Sequence, residues 1–398
     1  MNHTVESLKQ FEEEIIELYL DCQLPFLFHL SGGNEKELIE IFKNIKPGDY
    51  VLTNHRGHYH ALLHGMTPET VKDRILNGRS MFLYDREKNL FCTAIIGGSP
   101  AMAAGIAWDL KNKGSNNKVW CFVGDGTEDT GHFFEAVRYV EGFDLPCTFV
   151  IEDNNRSVET PKEERWGKAT DPDWPPSVLK YKYEITFPHA RIPAFIDLAK
   201  TNKKTDEEYF PIIPREEFPD FLDTDPGEMS YKDAIVKSMD DLASDGSVFI
   251  GYNVTHGHAM GTLKNVPDGQ LIETPVAENL MAGLGIGMSF EGTKAVIYYE
   301  RHDFMYVAAD AICNHIDKIN RISHGEFNVP VIIRAVVADA GPFYSGPTHS
   351  QDLTSAFREM VDFPIFEPSN PKEALIAYKK ARMAKGPVMI VERKSCYL

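Results

Sequence analysis

Gly124-Asp125-Gly126 stands between an apolar run, Val119 to Val123, and a helix-period pattern through Phe133, Phe134, Val137 and Val140. A second apolar run, Cys147 to Ile151, leads to Asp153-Asn154-Asn155. The pattern predicts a strand, a tight turn, a helix and a second strand, with both strand ends at one edge of a parallel sheet. Asp125 and Asn154 then converge, although 27 residues lie between Gly126 and Asn154. A carboxylate with an amide oxygen is a ligand set for a hard cation that takes further oxygens from a phosphate. The flanking glycines let the backbone approach that phosphate, and the first helical turn offers free N–H groups. Taken alone, the Gly-Asp-Gly turn fits an ordinary acidic strand-to-helix turn equally well.

Histidines form the second group of candidates. His29 opens His29-Leu30-Ser31-Gly32-Gly33-Asn34-Glu35, and four histidines fall between residues 55 and 64, beginning with His55-Arg56-Gly57-His58. Imidazole titrates near neutrality and suits proton transfer, although a lone histidine is more often structural. Farther on, Glu278 begins a Gly-rich helical pattern, Phe304 follows 26 residues later, and His349 lies in Pro347-Thr348-His349-Ser350-Gln351. Without those companions, Glu278 reads as a helix N-terminal charge favourable to the macrodipole.

The Gly-Asp-Gly turn with its distant Asn resembles the signature of thiamin diphosphate (ThDP) enzymes. The first half of the chain resembles the alpha subunit of the ThDP-dependent dehydrogenase component of 2-oxo acid dehydrogenase complexes. The second half resembles the beta subunit. The resemblance implies that Asp125, Asn154 and the carbonyl of Arg156 hold Mg2+ against the diphosphate, with Gly124, Gly126 and Thr127 beside it. It places His29 at a catalytic histidine, and His55, Arg56 and His58 at the diphosphate and the active-site mouth, His55 replacing the family's Tyr. Ala94-Ile95-Ile96-Gly97 matches a loop whose backbone at Ile96 would meet the aminopyrimidine amine. Val158 falls where a large apolar residue bends the cofactor. Glu278 matches the glutamate at the aminopyrimidine N1′, Phe304 the aromatic that stacks on that ring, and His349 the histidine of a Gln-His-Ser-Gln stretch. The likeness fades after about residue 165, and no counterpart of the family's second histidine loop is found there.

The elements that must position these residues follow from the rest of the chain. A helix is expected over residues 4–20, and Ser31 is a candidate cap for a helix running through Phe42. Residues 155–178, charged and Pro-rich with Trp166 and Trp174, read as a loop that orders over bound cofactor. Residues 202–228, acidic and without periodicity, read as a linker. From Ser230, a capping-box start, helices alternate again with short apolar strands, including Val248 to Gly251, Ala295 to Tyr299 and Val388 to Val391, with Phe304 to Ile319 helical. The expected fold is α/β: two ThDP-binding-fold domains, each a parallel sheet flanked by helices. They are a pyrophosphate and Mg2+ domain over 1–201 and an aminopyrimidine domain over 229–398.

With 398 residues, 43% of them hydrophobic, the chain has enough apolar mass for two or three cores. A net charge of −18 argues against nucleic acid or anionic membrane as main partner, and for a soluble cytoplasmic protein. No apolar run is long enough to span a bilayer. Six cysteines show no CxxC and no zinc spacing, so buried free thiols are expected. Family beta subunits carry a further domain after the strand matching Val388 to Val391. Its absence here, with that of the second histidine loop, favours a stand-alone enzyme that makes or breaks a C–C bond next to a carbonyl through a carbanion at the thiazolium C2. Decarboxylation, carboligation and ketol transfer all fit. The alternative is a compact dehydrogenase component that passes acyl groups to a lipoyl partner; a third reading is an idle ThDP-binding scaffold. A 2-oxo acid or ketose is the expected substrate, and a homodimer the expected assembly. Arg56, Arg301 and Lys168 either meet an anion or face solvent.

Overall fold

A computed structural model of the chain describes residues 3–24, 26–168, 171–187, 189, 196–197, 200, 204–214, 216–341 and 346–398. The chain divides into two units, Met1–Ile212 with Arg321–Glu326, and Ile213–Asn320 with Phe327–Leu398. Each is built on a six-stranded sheet.

The first unit begins with helix α1 (Val5–Leu20), whose start is fixed by a capping box between Thr4 and Ser7. Its apolar stripe of Leu8, Phe11, Ile15 and Tyr19 is buried, as helical spacing requires. The strands are β1 (Tyr50–Thr53), β2 (Tyr84–Asp85), β3 (Leu90–Cys92), β4 (Val119–Gly124), β5 (Cys147–Asp153) and β6 (Val178–Lys182). They lie in the order β2-β3-β1-β4-β5-β6. All pairings are parallel except β2 with β3. The chain runs from β1 out to β3, then returns through α2 (Ser99–Asn112) to β4 on the other flank of β1. That reversal makes β1/β4 a topological switch point, where a crevice opens beyond the carboxyl ends of the strands. The helix expected after Gly126 is in two pieces. A four-residue turn, Asp125–Glu128, precedes α3 (Gly131–Gly142), which restarts because the Thr130 hydroxyl caps Phe133 N–H at 3.2 Å. Ser31 caps nothing; its hydroxyl donates to the Arg56 carbonyl, and Asn34 stands at the start of the helix Glu35–Phe42.

The second unit contains α4 (Tyr231–Ser244), opened by the Ser230/Asp233 capping box, and α5 (Glu278–Phe290) and α6 (Pro371–Met383). Its strands are β7 (Val248–Gly251), β8 (Leu271–Glu273), β9 (Ala295–Tyr299), β10 (Ile332–Val337), β11 (Ile365–Phe366) and β12 (Val388–Arg393). Their order is β8-β7-β9-β10-β12-β11, parallel throughout. Every residue of α5 is buried. A Cβ on Gly285 would stand 2.7 Å from Ile297 Cδ1, so the missing side chain is what lets α5 lie against β9. Arg334 on β10 and Glu392 on β12 are fully buried and pair through two 2.8 Å hydrogen bonds. The helix expected over Phe304 to Ile319 is broken into a 3-10 turn, an α segment and a π segment, Ala311–Ile316.

Among the described residues of the stretch 202–228, Asp206–Tyr209 forms a helical turn capped by Thr205. Among the described residues, no helix is long and apolar enough to cross a membrane. All six cysteines are free; Cys92, Cys121 and Cys147 are buried and the other three half-buried.

Candidate active site

An open cleft lies at the carboxyl edge of the first sheet. Residues directly following β1, β3, β4, β5 and β6 all line it: Asn54, Thr93, Asp125, Asn154 and Tyr183. The register pairs Gly124 with Glu152, so Asp125 and Asn154 leave neighbouring strands almost side by side. Asp125 is buried, and burial pushes its carboxyl up to about 6 even though the Arg165 guanidinium donates to it at 2.9 Å. The Asn154 side-chain oxygen accepts from Arg156 N–H at 3.0 Å, and its amide nitrogen donates to the Tyr183 hydroxyl. Two backbone features shape this corner. A Cβ on Gly126 would stand 2.6 Å from Ser157 Oγ, so only glycine lets the turn and the following hairpin approach so closely. Val158 has φ 58°, rare and strained for a β-branched residue, and its side chain is 58% exposed at the cleft. The Thr127 hydroxyl accepts from Gly97 N–H, tying the 94–97 loop to the Gly-Asp-Gly turn.

A cluster of imidazoles forms one end of the cleft. His55 and His189 line it, and His29 packs behind them, its ring centroid 4.5 Å from His55 and 4.7 Å from His189. Burial first, then the Arg56 charge, pushes His29 down to about 3. Burial likewise holds His55 well below the ordinary histidine range, with His29 and Arg56 adding to it. Arg56 is held by the Leu30 and His189 carbonyls at 2.5 and 3.4 Å.

In the second unit, the residues after the strands again gather at the carboxyl edge. Glu278, at the first turn of α5, is 6% exposed. Tyr252 directly follows β7, and burial first, then the nearby Glu278 carboxylate, raises its phenol. The Tyr252 ring is 6.4 Å from Phe304, and His349 meets Phe304 edge-on at 5.4 Å. His302, beside Phe304, is fully buried and accepts from Leu353 N–H at Nδ1.

Residues 3–171 match the family described as Dehydrogenase E1 component, and residues 228–398 match Transketolase, pyrimidine binding domain. The chain thus joins a dehydrogenase E1 component domain to a transketolase pyrimidine-binding domain, the architecture of a fused thiamin diphosphate enzyme. It is 30% identical over 166 residues to the alpha subunit of acetoin:2,6-dichlorophenolindophenol oxidoreductase from Bacillus subtilis, covering 39% of this chain and 50% of that one. The pyruvate dehydrogenase E1 alpha subunit of Rickettsia prowazekii is 29% identical over 163 residues, covering 38% and 50%. The 2-oxoisovalerate dehydrogenase beta subunit of Bacillus subtilis is 28% identical over 176 residues, covering 42% and 53%. The chain thus spans about half the length of the curated relatives it matches. Its fold is similar to that of transketolase from Campylobacter jejuni, with TM-score 0.68, 16% identity, and coverage of 98% of this chain and 78% of that one. Transketolase from Leishmania mexicana gives TM-score 0.67 at 15% identity, covering 98% and 77%.

The residues present form a donor set suited to the expected ion. Asp125, Asn154 and the local carbonyls are hard oxygens beside a glycine cradle, and a cationic group already holds the Asp125 carboxylate. The structure brings Asp125, Asn154, Arg156, Gly124, Gly126, Thr127, His55, Arg56, Ile96 and Val158 to one cleft. It brings Glu278, Phe304 and His349 into one neighbourhood through Tyr252. Two expectations are corrected. His58 is not at a mouth: it is fully buried, with Nδ1 on Glu12 at 3.0 Å and Nε2 on Ser80 at 2.9 Å. His29 stands one layer behind the cleft surface. The region after residue 165, where no histidine loop was expected, also supplies a cleft histidine, His189. His189 and Tyr252 were missed as site residues. Tyr252 had a readable signal, its place at the end of an apolar strand; His189 lay in a stretch without periodicity and had none.

Proposed function

We propose that this chain is a stand-alone ThDP- and Mg2+-dependent enzyme that makes or breaks a C–C bond next to a carbonyl, by decarboxylation, carboligation or ketol transfer. The observation that supports it most is the placement of Asp125 and Asn154 at neighbouring strand ends, over a glycine turn, in a cleft lined by neutral imidazoles. Asp125, the Asn154 side-chain oxygen and the Arg156 carbonyl would hold Mg2+. The N–H groups of Gly126 and Thr127, with His55 and Arg56, would meet the diphosphate. Ile96, Val158 and Phe304 would fix the shape of the cofactor. When bound, ThDP supplies a nucleophilic carbon and accepts the negative charge that develops on the substrate.

The protein's own groups then move protons. Glu278, in its buried place, would hold a proton at the aminopyrimidine N1′, with the Tyr252 hydroxyl beside it. His55 and His189 are held neutral near pH 7 by burial and the Arg56 charge, so they serve the substrate carbonyl oxygen as hydrogen-bond partners. His349, edge-on to Phe304, would be a further proton carrier in the second unit. His29 positions His55 and His189. His58 takes no part, since Glu12 and Ser80 occupy both its nitrogens. Each chain supplies both sets of residues, and the assembly we propose is a homodimer.

A second reading, a dehydrogenase component that passes acyl groups to a lipoyl partner, is favoured by the family match over residues 3–171 and the names of the relatives. Reduction of an artificial electron acceptor only with a partner protein would select it. The test of the shared chemistry needs no substrate. Exchange of the C2 hydrogen of added ThDP with deuterium should be far faster with the protein than without it. Glu278→Gln should slow it about 100-fold or more. Equal exchange in wild type and variant would overturn the assignment of Glu278.

A further inference from the structure

We propose that His29, His55 and His189 form a binding site for a transition-metal dication of the Zn2+ class, distinct in donor chemistry from the oxygen set at Asp125. The three side chains come from separate segments: the loop before Glu35–Phe42, the loop after β1, and the chain after β6. One ring nitrogen from each lies within 4.8 Å of the other two. Around a tetrahedral Zn2+ such nitrogens stand ~3.4 Å apart, so modest ring rotations close the site. His29 Nδ1 is buried and has no hydrogen-bond partner among the described residues.

Two charged groups face the trio. Arg56 opposes a cation, and the Glu159 carboxylate, which accepts from His189 N–H, offsets it. His55 and His189 line the cleft, leaving its open side for a fourth ligand such as water, the pattern of a site with three protein ligands. Imidazole nitrogen selects Zn2+, Co2+, Ni2+ or Cu2+ and rejects Mg2+, which takes oxygen. The two ends of the cleft would therefore sort metals by ligand chemistry. On the reading of the cleft given above, an ion on the trio withdraws these imidazoles from the substrate oxygen and inhibits turnover.

The test uses the full chain, freed of metal by chelation, without ThDP or Mg2+. Zn2+ is titrated calorimetrically and Co2+ by visible absorption. The expected result is one ion per chain with tetrahedral Co2+ bands. Affinity should fall at least tenfold in His189→Ala and in His55→Ala, each checked for folding by circular dichroism, and be unchanged in Asp125→Ala. Absence of saturable uptake by wild type, or undiminished affinity in the folded histidine variants, overturns the site. Failure of the cofactor reading shows separately, as missing ThDP·Mg2+ binding while Zn2+ uptake persists.

Discussion

Histidines do different jobs in this chain, and the partners around each ring decide which. His58 is fully buried between Glu12 and Ser80, and Glu12 also accepts from Ser31 N–H. Removing the ring strands a buried carboxylate and a hydroxyl. His58→Ala should cost about 2–4 kcal/mol in urea unfolding, while ThDP affinity of the folded protein stays within twofold of wild type. A large loss of affinity in a protein of unchanged stability would return His58 to the site. His302 is buried and pushed down to about 4, chiefly by burial. The folded state refuses a proton that the unfolded state takes up near 6.5. The unfolded state therefore binds more protons as pH falls below 6.5, and folding stability declines down to about 4. Between pH 7 and pH 5 this one ring should account for roughly 2 kcal/mol of lost stability. His302→Asn keeps an acceptor for Leu353 N–H but does not titrate, so its stability should fall less over that interval. An identical fall in both proteins would contradict this account.

The elements show which parts of the fold local chemistry determines. The Ser230/Asp233 capping box starts α4 where the sequence places it, and the apolar runs ahead of Gly124 and Asp153 are strands β4 and β5. Those signals are local: a cap, an alternation, a run of β-branched residues. The broken helix after Phe304 was not legible, because its π segment is set by packing and not by any residue that breaks helices. The burial of His58 and the arrival of His189 were hidden for the same reason. Their partners lie 46 residues from His58 at Glu12 and 134 residues from His189 at His55, and sequence spacing carries no record of such contacts. By contrast, the Gly-rich face of α5 was visible, and its purpose is close packing on β9. Gly285→Val forces a side chain against Ile297 and should destabilise the protein by about 1–3 kcal/mol, read from thermal or urea unfolding. Unchanged stability would show that Ile297 can swing away.

At the scale of the whole chain, two sheets of different strand order place their chemistry by one rule: residues follow the carboxyl ends of parallel strands beside a reversal of strand order. That rule made Asp125 and Asn154 legible together, and it also accounts for Tyr252. The second sheet is pinned by Arg334 and Glu392, which Thr262, Tyr378 and Tyr397 complete with hydrogen bonds. Arg334→Met leaves Glu392 charged and unpaired in the interior, and should cost about 3–5 kcal/mol, enough to unfold many domains of this size. Recovery of most of that loss in the double variant Arg334→Met, Glu392→Leu would confirm that the unpaired charge is the cause. The central claim is that the cleft at Asp125 holds a diphosphate through a hard cation. Calorimetric titration of ThDP, with and without Mg2+, into wild type and Asp125→Ala tests it directly. Saturable binding that needs Mg2+ and disappears in Asp125→Ala is the predicted result; no binding to folded wild type, or equal binding by the variant, would contradict it.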